Sequence, residues 1–138
     1  MVKGLLDSLR EQSLRTAALP PSTRFGTIST KVAGDIAGEC KRAGLPTYDL
    51  SENGTTFDSL IERGKPNLLI THYSNEGAPL AARRGVPVLS VIHNSYVWHS
   101  AEQDEEIRAV DRFVTKYIAV SKSAGSYFCR KYGIPRSK

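Results

Sequence analysis

Four times along this chain a helix-forming stretch closes on Gly-X-Pro: Gly44-Leu45-Pro46, Gly64-Lys65-Pro66, Gly85-Val86-Pro87 and Gly133-Ile134-Pro135. Each part has a mechanical meaning. Gly accepts the left-handed backbone that closes a helix. Pro cannot continue one, and it drives the residue before it toward extended geometry. The first three units lead into runs of strand character at residues 47–50, 67–71 and 86–92, the second containing Leu68-Leu69-Ile70. A further run covers residues 117–120, and a weaker one residues 25–29. These runs are mostly continuous rather than alternating, as in strands covered on both faces. Helices and strands in alternation predict right-handed βαβ crossovers, hence an α/β domain with a doubly wound, mostly parallel sheet.

The helices carry their own signals. Val32, Ile36 and Cys40 recur every four residues. Phe57, Leu60 and Ile61 mark a shorter helix, and residues 78–84 are rich in small side chains suited to close packing on a sheet. Ser100 with Gln103 has capping-box spacing. Ser121 is placed to cap a last helix with Ala124, Tyr127, Phe128 and Tyr132 on one face. Residues 1–22 stand apart as an N-terminal extension ended by Pro20-Pro21. Val2, Leu5, Leu6 and Leu9 lie there at helical spacing among Lys3, Arg10 and Arg15, a pattern that fits either a membrane surface or docking on the rest of the domain. Residues 23–138 are expected to form one Rossmann-like domain.

The 138 residues suffice for one domain and one core. No apolar run approaches the ~20 residues that span a bilayer, and the sequence Met1-Val2-Lys3-Gly4-Leu5-Leu6-Asp7 is not a secretory signal. The expectation is therefore the cytosol, with peripheral contact at the inner face of a membrane as the use for the N-terminal helix. Asn53-Gly54-Thr55 then reads as a turn rather than a glycosylation sequon. Cys40 and Cys129 lack a CxxC partner and read as reduced thiols, not a disulfide or metal site. The net charge of +5 is unevenly placed: beyond Asp111 there is no acid, while Arg112, Lys116, Lys122, Arg130, Lys131, Arg136 and Lys138 follow. Such a field favours phosphate groups, nucleotides, acidic lipid or nucleic acid.

Ligands of open α/β sheets bind beyond the carboxyl ends of the strands. Three successive strands end on polar residues there: Thr71-His72-Tyr73-Ser74-Asn75, His93-Asn94-Ser95-Tyr96 and Ser121-Lys122-Ser123. Two of these runs carry a histidine at the strand end, a group that donates or accepts near neutral pH. Other chemistries are not written here: there is no GxGxxG, no GxxxxGK[ST], no HExxH and no GxSxG. His72, His93 and His99 lack metal-ligand spacing on one helix, so no metal is expected. The acids between Glu102 and Glu106 read as a solvated helix face.

The run Pro66-Asn67-Leu68-Leu69-Ile70-Thr71-His72, a helix, and then Arg84-Gly85-Val86-Pro87-Val88-Leu89-Ser90-Val91-Ile92-His93-Asn94 resembles the N-terminal half of GT-B glycosyltransferases of family 4. Asp111-Arg112-Phe113 with Tyr117-Ile118-Ala119-Val120-Ser121-Lys122-Ser123, and Tyr132-Gly133-Ile134-Pro135, continue the resemblance. It extends more weakly back to Phe25 through Gly34-Asp35-Ile36-Ala37 and Arg42-Ala43-Gly44-Leu45-Pro46. The resemblance implies the acceptor-binding, Rossmann-like half of a GT-B fold. The full enzyme would move a sugar from a nucleotide sugar, its co-substrate, to a sugar or lipid-linked acceptor, with retention and without a metal or other cofactor in this chain. It implies His93 as the catalytic residue, with His72, Asn94 and Ser121 lining the cleft; Ser121 and Lys122 open a helix whose free N–H groups favour anions, so Lys122 joins the residues expected to bind substrate. The family's glycine-rich loop is not clear, since Ser29-Thr30-Lys31 stands in its place. The donor-binding half is expected from a C-terminal domain or subunit, the fourth Gly-X-Pro unit being left without its strand. The alternative is a non-catalytic α/β module for anionic ligands; no nucleic-acid-reading motif is present, so nucleic acid is not expected.

Overall fold

The computed structural model of the chain describes residues 27–29, 34–50 and 54–138. The expected extension over residues 1–22, the start of the first strand at Phe25, Thr30-Lys31 and Asn53 lie outside them. The chain divides into two units, Met1–Thr56 and Phe57–Lys138.

The first unit contains strands β1 (Thr27–Ser29) and β2 (Thr47–Asp49), which pair in parallel with Thr27 opposite Thr47. Parallel pairing demands a crossover, and helix α1 (Gly34–Arg42) lies between the two strands in sequence.

The second unit holds helix α2 (Phe57–Gly64), strand β3 (Leu69–His72), helix α3 (Ala78–Arg83), strand β4 (Val88–Ile92), helix α4 (Ala101–Asp111), strand β5 (Lys116–Ala119) and helix α5 (Lys122–Tyr132). Its three strands form a parallel sheet in the order β3-β4-β5. The strand ends that the sequence placed side by side are therefore neighbours. Register sets Leu69 opposite Val88 and His72 opposite Val91, then Ser90 opposite Tyr117 and Ile92 opposite Ala119.

Side chains alternate across a strand, and the core follows one parity. Leu69, Val88 and Tyr117 pack with Ile61 of α2, Ala78 and Ala81 of α3, Val110 of α4 and Val114 in the turn beyond it. Ile92, Tyr117 and Ala119 pack with Ala124, Phe128 and Tyr132 of α5, and with Tyr96 and Ile107. The opposite parity is more open: Ile70 and Ile118 on the outer strands are each 48% accessible, while Leu89 and Val91 on the central strand are half-buried. The continuous apolar runs predicted cover on both faces; within this unit the helices pack on one. Small residues allow the close approach. Ala78 and Ala81 are fully buried, and a Cβ at Gly125 would come within 2.9 Å of the Ala119 methyl.

Three Gly-X-Pro units close their helices as expected. Gly44, Gly85 and Gly133 sit at φ 75°, 73° and 71°. In each, the next N–H reaches back five residues to a carbonyl: Leu45 to Cys40, Val86 to Ala81, Ile134 to Cys129. The unit at Gly64 differs. There Gly64 stays in α2 and Lys65 takes the positive φ, 42°. Beyond Pro135 the chain turns, and the Lys138 carbonyl accepts from the Tyr117 N–H at 3.1 Å. Cys40 and Cys129 are free thiols. Among the described residues no helix is long and apolar enough to cross a membrane.

Candidate functional site

The site is built where β3, β4 and β5 end. Buried Thr71 and Ser90 face the helices, and their hydroxyls both donate to Asn75 Oδ1, at 2.6 and 3.0 Å. This clamp ties the loop after β3 onto two strands, and both buried hydroxyls are satisfied by it. Between clamp and strand, the Ser74 N–H reaches the His72 carbonyl at 2.8 Å. The intervening Tyr73 has φ 64°. An i to i+2 bond around a positive φ is the rare, strained form of the γ-turn. It leaves the Tyr73 ring 68% exposed, and stacked on His93 with centroids 4.3 Å apart at 15°.

His72 ends β3, opposite Val91, so it shares a sheet face with Val91 and with His93, two residues on. That diagonal brings His72 Nδ1 to 2.9 Å from His93 Nε2. The sequence marked both histidines as strand-end residues; the structure places His72 inside the strand and His93 one residue beyond β4. Burial lowers the pKa of both imidazoles from 6.5, and for His72 the neighbouring His93 lowers it further. Both are therefore neutral at pH 7, and one nitrogen of the facing pair donates while the other accepts. When His72 donates, His93 carries its own proton on Nδ1.

Tyr96 braces the loop after β4. It is buried, at φ 52°, and its hydroxyl accepts from the His93 N–H at 3.2 Å. Its carbonyl accepts from Lys131 Nζ at 2.8 Å. Lys131 also pairs with Asp104 at 2.9 Å, and Asp104 accepts from the Tyr132 hydroxyl at 2.8 Å. Bonding from Lys131 holds the Asp104 carboxyl below its ordinary range, while burial and then Asp104 push the Tyr132 hydroxyl up.

Beside His93 opens a cleft of about 570 Å³. One wall is His93, Asn94 and Ser95. The other is α5, beginning at Ser121 and running through Ser123, Ala124, Ser126, Tyr127 and Arg130. Ser121 caps α5, its hydroxyl accepting from the Ala124 N–H at 3.1 Å and bonding Ser123 Oγ at 3.0 Å. Of the residues singled out in the sequence, His93, Asn94 and Ser121 line the cleft, and His72 reaches it through His93. Lys122 is exposed and does not line it. Tyr127, assigned to the apolar face, stands half-buried in the cleft wall. The sequence placed Tyr73 and Asn75 in the polar run after β3 and Arg130 in the basic C-terminal stretch, but named none of them as a site residue; its spacing of seven from Ser123 puts Arg130 on the same stripe of α5.

Residues 42–138 match the family model described as Glycosyltransferase Family 4. That stretch is more than half of the chain, and the chain belongs to this family: its function is glycosyltransferase-related. No curated protein and no solved structure matches it.

Proposed function

We propose that this chain supplies the acceptor-binding half of a GT-B enzyme that moves a sugar from a nucleotide sugar to an acceptor with retention. One observation carries the reading: in a family 4 chain, a neutral histidine is fixed by a second histidine and a stacked tyrosine at the mouth of a polar cleft. The acceptor, a sugar or lipid-linked molecule, lies in the cleft against Asn94 and Ser121. The nucleotide sugar is presented by a second domain or subunit. His93 donates from Nδ1 to a hydroxyl near the reacting carbon and orients it for transfer. His72 fixes the tautomer that makes this possible, and the Tyr73 ring holds the imidazole plane. Retention is taken from the family resemblance of the strand-end motifs.

The test is a transfer assay with the donor-binding partner present. His93→Ala is expected to reduce transfer by about 100-fold, the scale of a lost preorganised hydrogen-bond donor. Undiminished transfer would remove His93 from the reaction.

A further inference from the structure

The cleft wall on α5 has a definite chemistry. Ala124, Phe128 and Tyr132, four residues apart, are buried in the core. Ser123, Ser126, Tyr127 and Arg130, spaced by three and four, form the adjoining stripe that faces the cleft. The cleft thus holds hydroxyls, an amide, an imidazole and one guanidinium, and no carboxylate.

The cations of this unit differ in how they are engaged. Lys131 is neutralised by Asp104 and Lys138 by Asp111, each at 2.9 Å. Arg84 pairs with Asp58 at 2.6 Å. Arg130 has no such partner among the described residues. Residues 112–138 contain no acid. At the helix start the Ala124 N–H is taken by Ser121 and the Gly125 N–H by the Ser121 carbonyl, so two first-turn donors there are already engaged. The cleft thus contains a planar, permanently charged fork and, in the same lining, the hydroxyls of Ser121, Ser123, Ser126 and Tyr127. That geometry suits a phosphate, which a guanidinium binds through two parallel N–H donors.

We propose that the acceptor taken into this cleft carries a phosphate group, and that Arg130 is the residue that reads it. The proposal rests on the acceptor reading above and narrows it to one substrate class. The phosphate belongs either to a free phosphorylated polyol or to a lipid headgroup.

Amide NMR titrations of the whole chain test it, with glycerol 3-phosphate and neutral glycerol as probes. Glycerol 3-phosphate is expected to shift the amides of Asn94, Ser95 and Ser123 through Arg130, and glycerol is not. Arg130→Gln should weaken the phosphate response at least tenfold and Arg130→Lys less, while the distant Arg63→Gln leaves it unchanged. Co-sedimentation with phosphatidylglycerol vesicles, against phosphatidylcholine vesicles, separates the sources. Arg130-dependent vesicle binding supports a headgroup, and an Arg130-dependent response to glycerol 3-phosphate alone supports a soluble acceptor. Equal shifts from glycerol, or full affinity in Arg130→Gln, would overturn the phosphate and leave a polyol cleft standing. Silence of these amides toward both probes and both vesicles would overturn the proposal and the acceptor reading together.

Discussion

Tyr73 is held in a conformation that side chains avoid, at φ 64°. A left-handed non-Gly residue costs roughly 1–2 kcal/mol, and here the Asn75 clamp on Thr71 and Ser90 holds the loop in place. The strain sets an exposed ring over His93. Tyr73→Gly relieves the backbone and removes the ring together. Its stability in urea is expected to equal or exceed that of the parent by up to about 1 kcal/mol. The His93 imidazole, more open to water, should titrate nearer its ordinary pKa by NMR. An unmoved His93 pKa would show that the stack does not shield it.

The histidine pair also sets a pH dependence. Both folded-state values lie below 6.5, so the folded chain binds fewer protons than the unfolded chain just under that pH. Their contribution is fully present above about 6.5 and is lost as pH falls through the lowered values. Protonating both rings also leaves two donors facing across one bond. Urea midpoints should drop between pH 7.5 and pH 5, and the drop should shrink in His72→Gln. An identical slope in that variant would place the titration elsewhere.

Among elements, the helix ends give the sharpest contrast. Gly85 and Gly133 have φ near 70°, so Ala at either should destabilise by about 1 kcal/mol. Gly64 lies in α2 without a positive φ, and a Cβ there would meet only Pro66 Cδ at 4.0 Å. Gly64→Ala should therefore stabilise by up to about 1 kcal/mol through helix propensity. Denaturant melts of the three variants check both signs; a loss at Gly64 equal to that at Gly85 would contradict the shifted helix end. Gly125 serves packing instead. Gly125→Val would push α5 off the Ala119 methyl and cost about 1–3 kcal/mol by overpacking. The same shift moves the cleft wall, so the amides of Ser121 and Ser123 should change with it.

Across the second unit, Asp104 is where α4, α5 and the loop after β4 meet. It accepts from Lys131 and Tyr132, and Lys131 in turn holds the Tyr96 carbonyl. Its lowered pKa means the contribution is present above 3.8 and lost as pH falls below that, a window separate from that of the histidine pair. Asp104→Asn should lower stability at pH 7 and speed amide exchange from Tyr96 to His99 first. Uniform change across the unit would argue against a local brace. Asp111 plays the matching part at the other end of α4, accepting from Tyr117 and Lys138.

Element order, the parallel sheet and the helix ends at Gly44, Gly85 and Gly133 were legible in the sequence, because Gly, Pro and apolar runs act through the local backbone; the end at Gly64 was not, since there Lys65 takes the positive φ. So was the polar edge at His72, His93 and Ser121, because strand ends follow from strand positions. The stack of Tyr73 on His93 was not legible: it depends on a γ-turn held by two strands at once. The exchange of Lys122 for Arg130 in the cleft was not legible either. Helical periodicity names stripes, but only packing of Ala124, Phe128 and Tyr132 into the core decides which stripe is left to face a ligand. The sequence alone determined which strand ends line the candidate cleft. Tertiary structure decided which side chains meet there, since register and helix rotation are set by contacts between residues far apart in sequence.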